Sequence, residues 1–312
     1  MTTTETLTDA YATELLALAE EDERVVTLDA DVAKRMGTQK GFASRFPQRS
    51  INVGIAEQNM IGIAAGLAAS GKIPYAGTFA VFLSGRAWDQ IRQSIAYPRL
   101  NVKLIGAHGG MSVGEDGATH QASEDLALMR TLPNMTVLAP CDAEETRQAV
   151  RLAWRIEGPV YIRLFRPPVA RLVPDGYRME GGKAAVLRPG TDVTLIACGV
   201  MVGLALEASD TLAQEAISAG VLNMSSLKPL DREAVLRAAQ QTRGIVTVED
   251  HTVIGGLGSA VAEVLAEAGL GPLTRIGIPD CFGESGDHES LFRKYGLSAR
   301  DIAAATRKMC GL

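Results

Sequence analysis

Short apolar runs rich in Val and Ile alternate with longer stretches of helical periodicity along most of the chain. This alternation is typical of a parallel sheet covered by helices, because crossover helices bury both faces of parallel strands. In the first half, the runs predict strands at residues 25–28, 50–53, 73–77, 102–106, 135–139 and 160–164. Helices are predicted at about residues 57–69, 85–95, 124–131 and 143–156. The first half therefore predicts one complete α/β unit.

The segment over residues 166–191 interrupts this pattern and is dense in Pro, Gly and charged residues, as expected of an interdomain connection. A second, shorter α/β series follows. Its strands are predicted at residues 193–198, 219–224, 244–249 and 273–278, and its helices at about residues 203–217, 232–241, 258–267 and 298–309. We therefore predict a domain over residues 1–168, a linker over residues 169–190 and a smaller α/β domain over residues 191–312.

The composition argues against several classes of protein. A formal net charge of -5, without a run of clustered Lys and Arg, argues against a nucleic-acid partner. The polar, acidic start lacks the pattern of an export signal, and no segment approaches the ~20 uninterrupted apolar residues of a membrane span. We therefore expect a cytoplasmic protein. The four cysteines, at positions 141, 198, 281 and 310, form no Cys-x-x-Cys pair, so we expect neither structural disulfides nor a cysteine metal site.

The segment NVGIAEQNM carries the first candidate site residue. A predicted strand ends within this segment, and a predicted helix begins near Glu57. A carboxylate in the first helical turn at the carboxyl edge of a parallel sheet lies where α/β proteins bind their ligands. A glutamate in that turn can equally serve only to complement the helix dipole. Glu57 alone does not decide between the two interpretations.

The second candidate is the loop HGGMSVGEDGATHQ, which follows a predicted strand and carries His108, Asp116 and His120. Two of the four histidines of the chain lie in this loop. Polar loops beside a sheet edge often hold functional groups, and histidine titrates near neutral pH. Such histidines can also be ordinary surface residues, so this loop does not decide the function by itself either.

Taken together and in this order, the two segments, with TFAVF between them, resemble the transketolase family and its relative deoxyxylulose-phosphate synthase. The resemblance covers essentially the whole chain and implies a pyrimidine-binding domain followed by a smaller carboxyl-terminal domain. The family's amino-terminal domain carries a Gly-Asp-Gly sequence that binds Mg²⁺ and the cofactor's diphosphate, and no Gly-Asp-Gly occurs here. The resemblance therefore implies a split transketolase, in which a separately encoded subunit binds Mg²⁺ and the diphosphate of thiamine diphosphate. We expect an α2β2 heterotetramer.

The resemblance also implies roles for residues at the cofactor. Glu57 matches the glutamate that hydrogen-bonds N1′ of the aminopyrimidine ring and so helps the cofactor to lose the proton from C2. Phe79 and Phe82 match the aromatic residues that cradle this ring, and Phe82 is the closer stacking candidate. Asp31 matches an acidic residue near the cofactor and the substrate. Glu57 and His120 are therefore expected to be catalytic, with no metal ligand on this chain.

Further positions match the family's substrate-binding residues. His120 is expected next to the reacting carbon, Asp116 at substrate hydroxyls, and His108 and Arg166 toward the far phosphate. The chain departs from the family at three positions, which are occupied by Thr8, Arg35 and Gly85. These departures indicate an unusual sugar substrate while leaving the cofactor residues intact. His251 and His288, in the second domain, are expected to be structural or interfacial.

The predicted function is transfer of a two-carbon ketol unit from a ketose to an aldehyde. One alternative is the β subunit of a 2-oxo-acid dehydrogenase decarboxylase, which has similar length and an equivalent glutamate, but the segment GEDGATHQ argues against it. Deoxyxylulose-phosphate synthase is a second alternative, although that enzyme is normally one long chain. A non-catalytic scaffold subunit is a third, and degenerate catalytic positions would be its signature.

Overall fold

The computed structural model describes residues 4–311 and contains two sheets covered by helices. The helices are α1 (Leu7–Glu21), α2 (Glu57–Ala69), α3 (Ala80–Arg86), α4 (Trp88–Gln90), α5 (Asp125–Thr131), α6 (Ala143–Arg155), α7 (Met201–Ala213), α8 (Arg232–Gln241), α9 (Leu257–Ala268), α10 (His288–Lys294) and α11 (Ala299–Cys310). The strands are β1 (Val25–Asp29), β2 (Ser50–Asn52), β3 (Ile73–Phe79), β4 (Lys103–Ala107), β5 (Thr136–Leu138), β6 (Val160–Arg163), β7 (Ala185–Arg188), β8 (Val193–Ala197), β9 (Ala219–Asn223), β10 (Ser226–Lys228), β11 (Ile245–Thr252) and β12 (Leu273–Ile278).

The first sheet has seven strands in the order β10-β5-β6-β4-β3-β1-β2. All of its neighbours pair in parallel except β10, which is antiparallel to β5. In the register, Asp29 lies opposite Gly77 and Phe79 lies opposite Ala107. The carboxyl ends of β1, β3 and β4 therefore lie side by side, and the segments that leave them meet at one edge of the sheet.

The second sheet has five strands in the order β12-β11-β8-β9-β7. Two of its inner strands, β8 and β9, are buried along their whole length, as expected of strands that helices cover on both faces. Together with the first sheet it confirms the predicted fold class, a parallel-sheet α/β unit followed by a smaller one. Each predicted strand is present within a few residues of its predicted ends.

Several elements differ from the prediction. Ala185–Arg188, inside the predicted linker, forms β7 and pairs antiparallel with β9, so the second sheet begins before residue 191. Ser226–Lys228 leaves the second unit and adds β10 to the edge of the first sheet. The helix predicted near 85–95 is instead α3, α4 and a π-helical turn over Ile91–Ala96. The sequence analysis did not predict α1 or α10.

The two units share a hydrophobic core. One buried cluster contains Ala139 of the first unit together with Cys198, Met224 and Leu227 of the second. Burial of these side chains against one another explains why β10 crosses to the first sheet, since Met224 lies just before this short strand and Leu227 lies within it. Within residues 4–311, no helix has the length and apolar character needed to cross a membrane.

Candidate active site

The candidate residues meet at the carboxyl edge of the first sheet. Asp31 follows β1, Glu57 follows β2, Phe79 ends β3 and His108 follows β4. The loops that follow adjacent parallel strands lie at the same carboxyl edge of the sheet, which is where open α/β sheets bind ligands. The structure therefore brings together residues that are spread over more than seventy positions of the sequence.

Glu57 begins α2 and is only 5% exposed. Gly54 precedes it with a φ of 72°, in the left-handed region that glycine adopts at no steric cost. The Asn52 side chain accepts a hydrogen bond from the Gly54 N–H at 2.8 Å and donates one to Asp31 Oδ1 at 3.2 Å. Asp31 and Asn52 thus fix the turn that leads to Glu57. The sequence analysis did not identify Asn52.

Four rings form an aromatic cluster at the same sheet edge as Glu57. The Phe79 ring lies 6.0 Å from Phe82, 4.9 Å from His108 and 5.9 Å from His120, measured between centroids. Phe82 and His120 are 5.1 Å apart. All the histidine contacts in this cluster are edge-to-face, a favourable geometry for ring pairs. Both Phe residues are only partly buried, so they retain surface for a flat ligand.

Arg86, which the sequence analysis did not identify, links Glu57 to this cluster. Its Nη1 lies 3.1 Å from Glu57 Oε1, and its Cζ lies 4.0 Å from the Phe82 ring centroid. Arg86 follows Phe82 by four residues, and side chains at this spacing share one face of a helix. That spacing is the signal by which the contact with Phe82 could have been found.

His108 is a neutral imidazole at pH 7. Burial, together with the positive charges of Arg166 and Arg35, lowers its pKa to about 4, while Asp116 acts in the opposite direction. Its Nδ1 is buried and has no hydrogen-bond partner among residues 4–311. Buried polar atoms are nearly always paired, so this nitrogen is available to a ligand group that the site would bind.

The predicted substrate residues Asp116 and Arg166 contact each other. Arg166 Nη1 lies 3.0 Å from Asp116 Oδ2 and donates to the Val113 carbonyl oxygen at 2.6 Å. The positive charges of Arg166 and Arg35 both act on His108. A guanidinium is suited to bind an anionic group.

The loop that carries these residues is anchored by the second unit. Asp250, near the end of β11, accepts hydrogen bonds from the Met111 N–H at 2.8 Å and the Ser112 N–H at 3.1 Å. A Cβ atom at Gly110 would collide with the Asp250 carboxylate, so only glycine fits this close approach. Buried Arg163 donates to the Asp250 carbonyl oxygen at 2.7 Å. Asp250 is therefore a positioning residue for the loop.

We expect Asp250→Asn to loosen this loop, because an amide offers one acceptor atom where the carboxylate offers two. Loss of one hydrogen bond to a charged group costs about 1.5–3 kcal/mol. Amide hydrogen exchange at Met111 and Ser112 should therefore accelerate by roughly 10- to 100-fold. The exposed Asp175 provides the control, and Asp175→Asn should leave these amides unchanged. Equal exchange rates in both variants would show that Asp250 does not hold the loop.

The remaining predicted positions lie as follows. His251 is fully buried between the two units, where its Nε2 accepts a hydrogen bond from the Ala127 N–H at 3.2 Å. His288 begins α10 on the second unit and packs edge-to-face against Phe292. Thr8 lies in the first turn of α1 beside Thr6, and Gly85 is exposed in α3.

The donor set fits the aminopyrimidine of thiamine diphosphate. A buried carboxyl group, two partly exposed phenyl rings and an unpaired imidazole nitrogen match a flat, nitrogen-bearing heterocycle. Between residues 4 and 311, by contrast, there is no group of three His, Cys, Asp or Glu side chains that could hold a metal ion.

The chain is similar to known proteins over nearly its whole length. Two protein-family models match the chain: "Transketolase, pyrimidine binding domain" over residues 4–170 and "Transketolase, C-terminal domain" over residues 182–302. The chain is 46% identical over 303 residues to the 6-deoxy-6-sulfo-D-fructose transketolase subunit SqwH of Clostridium sp. strain MSTE9, covering 97% of this chain and 94% of the relative. It is 46% identical to a putative transketolase C-terminal section of Methanocaldococcus jannaschii, covering 94% and 92%.

A solved structure described as a split gene transketolase, an inactive beta4 tetramer, superposes with a TM-score of 0.91 at 50% identity, covering 98% of this chain and 99% of that one. Family models and relatives thus agree over nearly the whole chain. The chain belongs to the transketolase family of thiamine-diphosphate-dependent, ketol-transferring enzymes, of which it comprises the pyrimidine-binding and C-terminal domains.

Proposed function

We propose that this chain is the pyrimidine-binding subunit of a split transketolase that moves a two-carbon ketol unit from a ketose to an aldehyde. The observation that carries the proposal is the meeting of buried Glu57 with the four-ring cluster of Phe79, Phe82, His108 and His120 at one sheet edge. The two residues expected to be catalytic, Glu57 and His120, are both present. This argues against a degenerate, non-catalytic subunit.

Each residue has a proposed role. Thiamine diphosphate, when bound, supplies the nucleophilic carbon that attacks the ketose carbonyl. Glu57 shares a proton at its carboxyl group with the ring nitrogen N1′, and Phe82 and Phe79 hold the ring by stacking. Asp31 orders the turn before Glu57 through Asn52. His120, whose Nδ1 is 2.9 Å from the Thr119 hydroxyl, moves a proton at the substrate oxygen next to the reacting carbon.

The metal and diphosphate site is proposed to lie on a separately encoded partner. Residues 4–311 contain no group of three His, Cys, Asp or Glu side chains that could hold a metal ion, and the sequence contains no Gly-Asp-Gly. A relative of similar length carries the word subunit in its name, and a structural neighbour is described as an inactive beta4 tetramer of a split gene transketolase. We therefore propose an α2β2 assembly acting on small sugars in the cytoplasm. The test is to co-purify the pair and assay it against phosphorylated, sulfonated and neutral ketoses.

The substrate is proposed to be a ketose with an anionic tail, either a phosphate or a sulfonate. We assign that tail to His108 and Arg166, near which the positive charge of Arg35 also acts, and we assign the hydroxyl groups of the sugar to Asp116. Neutral His108 can donate or accept a hydrogen bond without adding charge. The relative that acts on a sulfonated ketose supports this choice of substrate class.

We expect Arg166→Ala to lower kcat/KM for xylulose 5-phosphate by roughly 10- to 100-fold, because one hydrogen bond to a charged group contributes about 1.5–3 kcal/mol. Unphosphorylated xylulose, which differs only in the phosphate, should lose far less. The same comparison with a 6-sulfonated fructose tests the sulfonate. An equal loss on charged and neutral ketoses would mean that Arg166 acts only by holding Asp116 and the loop.

A further inference from the structure

The Arg86 side chain contacts both groups that are assigned to the aminopyrimidine ring. Its guanidinium is 3.1 Å from Glu57 Oε1 and its Cζ is 4.0 Å from the Phe82 ring centroid. Its backbone carbonyl oxygen accepts a hydrogen bond from Gln58 Nε2 at 2.9 Å, which ties the end of α3 to the first turn of α2. Arg86 is therefore held where its side chain reaches the carboxyl group and the ring at once.

A guanidinium and an aminopyrimidine make the same demands on this pocket. Both are planar and delocalised, both present nitrogen to a carboxyl group, and both stack on an aromatic face. Glu57 is 5% exposed, whereas the Arg86 side chain is 51% exposed. The guanidinium thus lies between the buried carboxyl group and solvent, on the side from which a ligand would reach Glu57.

We infer that Arg86 is a displaceable occupant of the pyrimidine subsite, which must release Glu57 and Phe82 before thiamine diphosphate can bind there. The inference rests on the proposed function. An ion pair with one largely exposed partner is weak, so the side chain can leave. While it is in place, it balances the charge of a buried carboxylate, which would otherwise be costly. Arg86 therefore protects Glu57 and lowers the affinity of the subunit for its cofactor.

The test measures thiamine diphosphate binding to the full chain assembled with its partner, by titration calorimetry in the presence of Mg²⁺. Arg86→Met removes the charge and the planar group and keeps much of the length of the side chain. We expect the dissociation constant to fall about tenfold, which corresponds to about 1.4 kcal/mol. Quenching of Trp88 fluorescence, two residues from Arg86, provides a second readout of binding that does not depend on turnover.

The matched control is Arg92→Met, an exposed arginine of the following π-helical turn that forms no ion pair among residues 4–311. It should bind the cofactor as the wild type does. Arg86→Lys keeps the charge but loses the planar fork, and should fall between Arg86→Met and the wild type.

Equal or weaker binding by Arg86→Met in a folded complex, checked by its melting temperature, would overturn the inference. If Arg86→Met does not fold, Arg86→Lys takes its place, and binding by Arg86→Lys no tighter than that of the wild type would overturn the inference in the same way. Absence of cofactor binding in the wild type and Arg92→Met alike would instead overturn the proposed function, and the inference with it.

Discussion

Replacing Glu57 by Gln is expected to lower kcat of the assembled enzyme by at least about 100-fold, since a positioned proton-transfer group typically contributes about 10²–10⁴. The amide has nearly the same size and can still form a hydrogen bond, but it acts neither as an acid nor as a base near neutral pH. Since Glu57 begins α2 at the sheet edge and does not lie in the hydrophobic core, assembly should survive the change.

The measurement pairs steady-state turnover with exchange of the C2 proton of bound thiamine diphosphate, followed by NMR. Glu233 is a matched control, because it also lies in the first turn of a helix but its side chain is 74% exposed. Glu233→Gln should leave both rates unchanged. Normal C2 exchange in Glu57→Gln would remove the proposed role of Glu57 in activating the cofactor, whatever the effect on turnover.

The strands could be predicted because parallel strands buried on both faces appear in the sequence as continuous apolar runs. The same reasoning placed Glu57 and the loop that carries His108 at the ends of strands, whereas Phe79 was identified only through the resemblance to the family. Each comes at or shortly after the end of a strand, and the ends of adjacent parallel strands lie at one edge. The strands and their direction place these residues at one edge of the sheet, while their proximity depends on the strand order.

The elements that were missed depend on long-range contacts that local patterns do not encode. Asp250 accepts a hydrogen bond from the Met111 amide, 139 positions away. No local pattern in either segment predicts this contact. β10 is only three residues long and forms because burial of Met224 and Leu227 brings it to β5. β7 lies in a segment whose Pro and Gly content resembles a linker, yet it pairs with β9.

The sequence analysis also missed Arg86, for a different reason. Its spacing from Phe82 is local and could have indicated the stacking contact. Its ion pair with Glu57, by contrast, depends on how the end of α3 packs against the start of α2, through the hydrogen bond from Gln58. The sequence analysis could therefore predict the residues that match the family, while the residue that competes for the same pocket required the structure.

Dependence on the partner subunit is the prediction with the largest expected effect. The isolated chain should show no ketol transfer, because residues 4–311 offer groups for the pyrimidine ring but contain no group of three His, Cys, Asp or Glu side chains that could hold a metal ion. The surface beside the site also indicates a partner subunit. Ile55, two residues before Glu57, is 74% exposed, and full burial of such a side chain contributes about 1.5–3 kcal/mol. A large apolar side chain exposed at this edge suits a surface that a partner covers.

Turnover should therefore rise from zero and saturate when the partner is titrated into a fixed amount of this chain. The partner alone, at the highest concentration used, is the control and should also be inactive. Ile55→Lys should shift the titration to higher partner concentrations without changing the saturating rate, because it weakens assembly and leaves Glu57 and the aromatic cluster in place. Turnover by the isolated chain at the rate of the mixture would contradict the split-enzyme proposal, since a single subunit would then supply every group that the reaction needs.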